Sequence, residues 1–176
     1  MPRGRLRSTQ VLRKRNAALG WVRFLVEWKF AEGLSALKRA KELSPRNPTA
    51  NDLLARVIVC LRRFEEAERL ARQAVELDPL SVRAQNNLAC VLFFAGKFDE
   101  ADAIERKAAE LQPTAAGNRH WQVLAALQRG DGETALRLAH LEPDEANRRF
   151  ELAIAQYVRG DHKAADAALA DLIANG

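Results

Sequence analysis

The chain is poor in sulfur and in rings: 176 residues hold two cysteines, one methionine, one tyrosine and only 6% aromatic side chains. Each scarcity excludes something. Cys60 and Cys90 cannot form a disulfide framework, so they read as buried, reduced, structural thiols, and the reducing compartment they suit is the cytoplasm. No run of 18 apolar residues occurs, so no membrane-spanning helix is encoded, and the basic N-terminus lacks the apolar core of a secretory signal. Phosphate-binding glycine loops, nucleophile elbows and HExxH zinc helices are missing; the one close glycine pair, Gly130 and Gly132, fits a turn between helices. His120, His140 and His162 fall in three separate helical stretches without ligand spacing. The expectation is a protein with no catalytic residues, no metal and no cofactor.

Charge is distributed unevenly. Arg3, Arg5, Arg7, Arg13, Lys14, Arg15 and Arg23 all precede the first acid, Glu27, whereas the whole chain carries only +5, so everything from Glu27 onward is mildly acidic at −2. The basic pI therefore belongs to a leader. Such a cluster can attract phosphates or anionic lipid, but without interleaved aromatics it reads as a solvated tail. Nucleic acid or membrane partners are not expected on this ground, and an adaptor for nucleic acid or an anionic membrane surface acting through Arg3 to Arg15 is the alternative function.

What is abundant is alanine in a helical frame, repeating every 34 residues. The stretch from Val82 to Ala115 reads as one helical hairpin: Leu88 and Ala89 in the first helix, Gly96 at the turn, Phe98 opening the second helix, Ala101 and Ala108 on its inner face, and Pro113 as the stop. Leu54, Ala55, Phe64, Ala67, Ala74 and Pro79 hold the same places one period earlier. This spacing resembles the tetratricopeptide repeat (TPR) family. The resemblance implies an all-α, right-handed superhelical solenoid of about five helical hairpins. A flexible basic leader would occupy residues 1–13, followed by units at 14–47, 48–81, 82–115, 116–145 and 146–176.

Several positions depart from the family pattern. Trp28 and Arg62 stand where Gly96 stands in the central unit, so the first two turns lack their usual glycine. Pro143 arrives about four residues early, which shortens the second helix of the fourth unit. Gly33 and Ala40 keep the small-residue places of the first unit, and Pro48 suits a first helical turn. Acid pairs Glu65–Glu66 and Asp99–Glu100 open second helices, where they complement the helix dipole rather than serve acid–base chemistry. No polar cap follows Leu172, so the expectation is a continuing polypeptide, a frayed hairpin, or self-association through the last hairpin.

In TPR proteins the first helix of each hairpin lines a concave groove, and the resemblance projects Asp52, Leu53, Arg56, Cys60, Arg83, Asn86, Asn87, Cys90, Phe94, His120, Trp121, Leu124, Gln128, Phe150, Ile154 and Tyr157 onto it. Arg56, Arg83, Asn86, Asn87, Cys90, His120, Trp121, Phe150 and Tyr157 are the candidate partner contacts, with Asn87 and Trp121 foremost, because aromatics and arginine dominate binding hot spots. Phe94, Leu124 and Ile154 are read as packing between helices. The clamp that some TPR domains use for C-terminal carboxylates is rejected: in one register Asp52, Arg56, Asn87, Gly117 and Trp121 retain only Asn87, and the other register fails as well. The implied activity is that of a non-catalytic scaffold holding a peptide or partner helix.

A narrower resemblance covers ELDPLSVRAQNNLACVLFFAGKFDEAD, the HLEPDEA break and GDHKAADAALADLIA. These segments are similar to C-terminal TPR regions of bacterial signalling proteins that carry adenylate/guanylate cyclase or winged-helix effector domains. By that resemblance the chain is a sensory or interaction module.

Overall fold

A computed structural model describes residues 16–114 and 119–175 of the chain. The basic leader lies outside the described residues. Among those described, regular structure is entirely helical: α1 (residues 16–25), α2 (Phe30–Leu43), α3 (Pro48–Cys60), α4 (Phe64–Leu77), α5 (Val82–Phe94), α6 (Phe98–Leu111), α7 (His120–Gln128), α8 (Gly132–His140), α9 (Glu145–Val158) and α10 (His162–Asn175). They pair in sequence as helical hairpins. The chain divides into two compact units, one ending at Asn87 and the other beginning at Leu88.

The turns show how local chemistry sets the hairpin. At Gly96 the backbone takes φ +78°, the Gly96 amide donates to the Phe93 carbonyl (2.9 Å) and the Lys97 amide reaches the Leu92 carbonyl (2.9 Å). These are the two bonds of a Schellman motif, which closes the last carbonyls of a helix and reverses the chain. The same pair recurs around Gly130 (φ +74°) and Gly160 (φ +84°). It recurs at Arg62 as well, a bulky L-residue at φ +59°. Trp28 also sits at positive φ (57°), in a looser turn where the Lys29 amide reaches back six residues to the Arg23 carbonyl. At Arg62 the missing glycine therefore leaves the turn conformation unchanged and the side chain is forced into it, whereas at Trp28 the positive φ is kept but the closing bond is wider.

Each second helix then opens in a repeated way. Lys29, Arg63 and Lys97 precede α2, α4 and α6 with φ near −90° and ψ of 62–68°, and Phe30, Phe64 and Phe98 follow. The expected acids do lie in the first turns of α4 and α6. Asn47 caps α3 through its Oδ1, which accepts the Thr49 and Ala50 amides, with Pro48 just inside the helix. Asp131 and Asp144 cap α8 and α9 in the same manner.

In the first unit α3 packs on α2 and α4, and small residues let the backbones approach. Ala55, Ala67, Ala71 and Ala74 are fully buried. The tightest approach is Gly20 on Gly33: a methyl added at Gly33 would come within 2.8 Å of the Gly20 carbonyl and of Phe24 backbone and side-chain atoms. In the second unit Ala101 and Ala108 of α6 are fully buried. Its core joins Val123 and Ala126 of α7, Ala135 and Ala139 of α8 and Ala155 of α9, flanked by Leu127, Leu136, Leu138 and Leu152. The helix α8 spans nine residues against 14 for α6 and α10, as the early Pro143 requires.

One recurrent bond was not anticipated. At four successive hairpin junctions a side chain reaches back six residues to a loop carbonyl: Asn51 to Pro45, Gln85 to Pro79, Arg119 to Pro113 and Arg148 to Glu142, over 2.6–3.4 Å. Three residue types, Asn, Gln and Arg, do one task across the four junctions, so no single residue identity marks it throughout.

Because an L-residue in the left-handed region costs about 1–2 kcal/mol, Arg62→Gly should stabilise the chain. Allowing for the added freedom of glycine in the unfolded state, the net gain is about 1 kcal/mol. Gly96→Ala should lose a similar amount. Thermal melts check both, with shifts of roughly 2–4 °C in opposite directions.

Candidate partner-binding site

The projected groove residues divide between the two units and differ sharply in what they present. In the first unit Asp52 is fully buried and Arg83, which is exposed, forms an ion pair with it. Burial pushes the Asp52 carboxyl above its ordinary range, and the Arg83 and Arg56 guanidiniums only partly offset this. Asn87, foremost among the expected contacts, is buried; its Nδ2 donates to the Asp52 backbone carbonyl at 3.0 Å. It braces two first helices against each other and offers no side chain to a partner. Arg56 is exposed, with its guanidinium stacked 4.7 Å from the centre of the Trp21 ring. Asn86 is half-buried.

In the second unit the rings form a connected series. Phe94 on α5 meets Trp121 on α7 edge-on at 5.7 Å; Trp121 meets His120 at 4.9 Å; and His120 lies 6.3 Å from Phe150 on α9. Phe93 backs this series from within α5, touching Phe94, Trp121 and Phe98. Phe94 and Phe150 remain 53% and 48% exposed, so the surface is apolar and available rather than packed away. The expectation that Phe94 packs between helices is therefore corrected, whereas Leu124 and Ile154 are half-buried. Tyr157 is exposed but joins His162 (4.9 Å), apart from the ring series. Cys90 is half-buried and Cys60 exposed, so the expectation of two buried thiols fails at Cys60.

Two buried acids hold the start of α7, and neither was expected. Glu105 of α6 is fully buried, and its Oε2 accepts the backbone amides of Trp121 (2.9 Å) and Gln122 (3.3 Å). It thus caps the N-terminus of a neighbouring helix, where anionic or polar oxygen complements the free N–H groups. Glu151 of α9, also fully buried, places Oε1 3.1 Å from His120 Nδ1. Burial raises the Glu105 pKa to about 8, with backbone bonds to Gln122 and Trp121 opposing and the charges of Glu151 and Glu142 adding. Glu151 is raised by burial too, against the pull of His120. A signal existed in the sequence: Ala101, Glu105 and Ala108 share one helical face, so an acid lay on a buried stripe. One period earlier that position is Ala71, and before it Leu37, both fully buried.

Among the described residues no group of three or more His, Cys, Asp or Glu side chains is placed to hold a metal, and no helix is long and apolar enough to cross a membrane.

With helix order, turns and surface established, comparison decides the fold. A tetratricopeptide repeat family model matches residues 82–114. The structure of TTC0263, a thermophilic TPR protein of Thermus thermophilus, superposes with a TM-score of 0.83 at 18% identity, covering 93% of this chain and 91% of that one. The fold is a TPR solenoid. The pilF structure from Pseudomonas aeruginosa matches at a TM-score of 0.76 and 22% identity, covering 96% of this chain and 78% of that one. YrrB, described as a TPR protein with an unusual peptide-binding site, matches at 0.59 and 18% identity, covering 90% and 83%. No curated protein matches the sequence significantly.

The Glu105 carboxyl supplies a pH dependence whose sign can be worked out. An acid raised from 4.5 to about 8 by folding contributes stability that is complete below 4.5 and lost as pH climbs through about 8. Glu105→Gln keeps an oxygen for the two amides and removes the titration. Urea midpoints should therefore fall less steeply from pH 5 to pH 9 in the variant, and at pH 9 the variant should be the more stable protein.

Proposed function

We propose that this protein is a non-catalytic interaction scaffold that binds an extended peptide or a partner helix on the ring surface of its second unit. The observation that carries the reading is the unbroken series Phe94, Trp121, His120 and Phe150, drawn from three successive first helices and left half-exposed at both ends. Aromatic side chains give large contact area for little conformational entropy, and a row of them on rigid helices is preorganised. The backing matters equally. Glu105 and Glu151 fix the first turn of α7, so His120 and Trp121 are presented in one orientation. The peptide-binding site named for YrrB, on the same fold, supports the choice of a peptide class.

The role of Asn87 and Arg83 in this reading is indirect. Both are tied to Asp52 and shape their own unit. Arg56, and Asn86 beside them in sequence, remain candidate contacts on the first unit, while Tyr157 falls outside the ring series. The narrower reading, a sensory module of a cyclase-type or winged-helix regulator in a bacterial cytoplasm, rests on the resemblance of the HLEPDEA and flanking segments.

The test begins with a displayed peptide library panned against the whole chain, followed by titration of the selected peptides. Phe94→Ala with Trp121→Ala should weaken them at least tenfold, about 1.4 kcal/mol or more, with helical content unchanged by circular dichroism. Tyr157→Ala should bind as the parent does. Peptides that bind the double variant with undiminished affinity would remove the ring surface from the assignment.

A further inference from the structure

The first turn of α7 rests on more acid than its packing requires. Glu105 and Glu151 are fully buried and Glu142 nearly so; they come from α6, α9 and the α8–α9 loop. Glu105 Oε2 takes the Trp121 and Gln122 amides, and Glu151 Oε1 meets His120 Nδ1. Glu142 Oε1 accepts the Asp144 amide at 3.2 Å. The second oxygens of Glu105 and Glu151 are buried with no hydrogen-bond partner among the described residues. Packing at the Glu105 position needs no carboxyl, since Ala71 and Leu37 fill it one and two periods earlier. Ionising a carboxyl in such surroundings is costly, and neighbouring carboxyls hinder one another's ionisation.

Among the described residues, few cations face the three carboxyls. From Leu88 to its end α5 carries no charged side chain, and Cys90 there is half-buried. On α6, Asp102 accepts Gln122 Nε2 (3.1 Å) and pairs with Arg106; the other charged side chains of α6, and the charged and histidine side chains of α8, are exposed. At the start of α7, Arg119 and His120 attract Glu151. On α9, Arg148 donates to the Glu142 carbonyl (3.1 Å), and Arg149 is engaged by Glu145 and Asp171. We propose that binding at the ring surface is controlled by protons: the first turn of α7 holds His120 and Trp121 in place while Glu105 and Glu151 stay protonated, and releases them as the two ionise. This rests on the ring surface being the binding site and adds its regulation. The direction follows from burial. Glu105 is pushed up to about 8 and Glu151 is raised as well, the charge of Glu142 adding to both. A peptide across His120 and Trp121 removes further water from the same turn, which favours uncharged carboxyls. Binding therefore takes up protons, and by linkage affinity falls as pH rises through about 8.

The test titrates the full chain with a library-selected peptide, acetylated and amidated at its ends and free of His, Cys, Lys and Tyr. From pH 7 to pH 9 its affinity should fall at least threefold. In Glu105→Gln combined with Glu151→Gln that fall should disappear, whatever the affinity at pH 7. If the double variant loses helix by circular dichroism, Glu105→Gln alone decides, with the fall at least halved. The switch is also read without ligand. Trp21→Phe with Trp28→Phe leaves Trp121 as the sole tryptophan. Its emission should move to the red between pH 7 and pH 9, and Glu105→Gln should abolish the movement. Emission that ignores pH, or an affinity that falls equally in parent and variants, would overturn the proposal. Steady affinity from pH 7 to pH 9, for a peptide that Phe94→Ala with Trp121→Ala releases, would overturn the proton control and leave the site. Undiminished binding to that double variant would remove the site and its control together.

Discussion

Everything in the hairpins depends on two helix backbones coming close enough to leave room only for a hydrogen atom or a methyl group. Ala67 and Ala74, Ala101 and Ala108, Ala135 and Ala139 are wholly buried, and Gly20 against Gly33 leaves no room for a methyl. Close approach maximises dispersion contact and fixes the distance between helices. Once that distance is fixed, the turn joining them has little choice. The left-handed conformation at Arg62 shows the order of magnitude of the contest: a cost of about 1–2 kcal/mol in the backbone is tolerated. The alternative is to separate surfaces whose loss of packing costs roughly 2–5 kcal/mol per large side chain. Packing wins, and the turn follows.

This ordering explains what could be read from the chain and what could not. Gly96, Gly130 and Gly160, the alanine pairs, the shortened α8 and the helix starts at Phe64 and Phe98 are consequences of a local, repeated geometry. They recur at a fixed interval and were legible. The use of each polar residue depends instead on what lies across from it, 15 to 35 residues away. Asn87 looks like a groove residue by position, yet Asp52 claims it. Phe94 looks like packing, yet its neighbours leave half of it uncovered. Glu105 carries no local mark of its role, because its chemistry lies in the free amides of another helix. Periodicity identifies a face but not what covers it.

The buried polar groups also show how a repeat is kept specific while its sequence drifts. Asn51, Gln85, Arg119 and Arg148 all bond a loop carbonyl six residues back, although amides serve at the first two junctions and arginines at the last two. What is held constant is a donor within reach of the loop carbonyl six residues back. Position and hydrogen-bonding sense are constrained; identity is not. Glu105 follows a different logic. It replaces a hydrophobic residue with an acid that burial largely neutralises, and in return the first turn of α7 is pinned at the place where His120 and Trp121 emerge.

From this follows a criterion for separating surface that serves the fold from surface that serves something else. A residue that helps the hairpin is buried, or caps a helix, or relaxes a turn. Trp28 does none of these: it strains the turn, exposes most of its ring and occupies a place that glycine fills elsewhere. Phe94 and Phe150 fail the same criterion more mildly, since half of each side chain faces solvent without contributing to the core. Arg62 shares the strain of Trp28, but a long charged side chain at the surface is well solvated, so only its backbone is costly. Exposed aromatic area combined with backbone strain is therefore the more informative pair. At Trp28 the two coincide, and its ring contact within the chain, with Phe30, leaves most of the side chain uncovered.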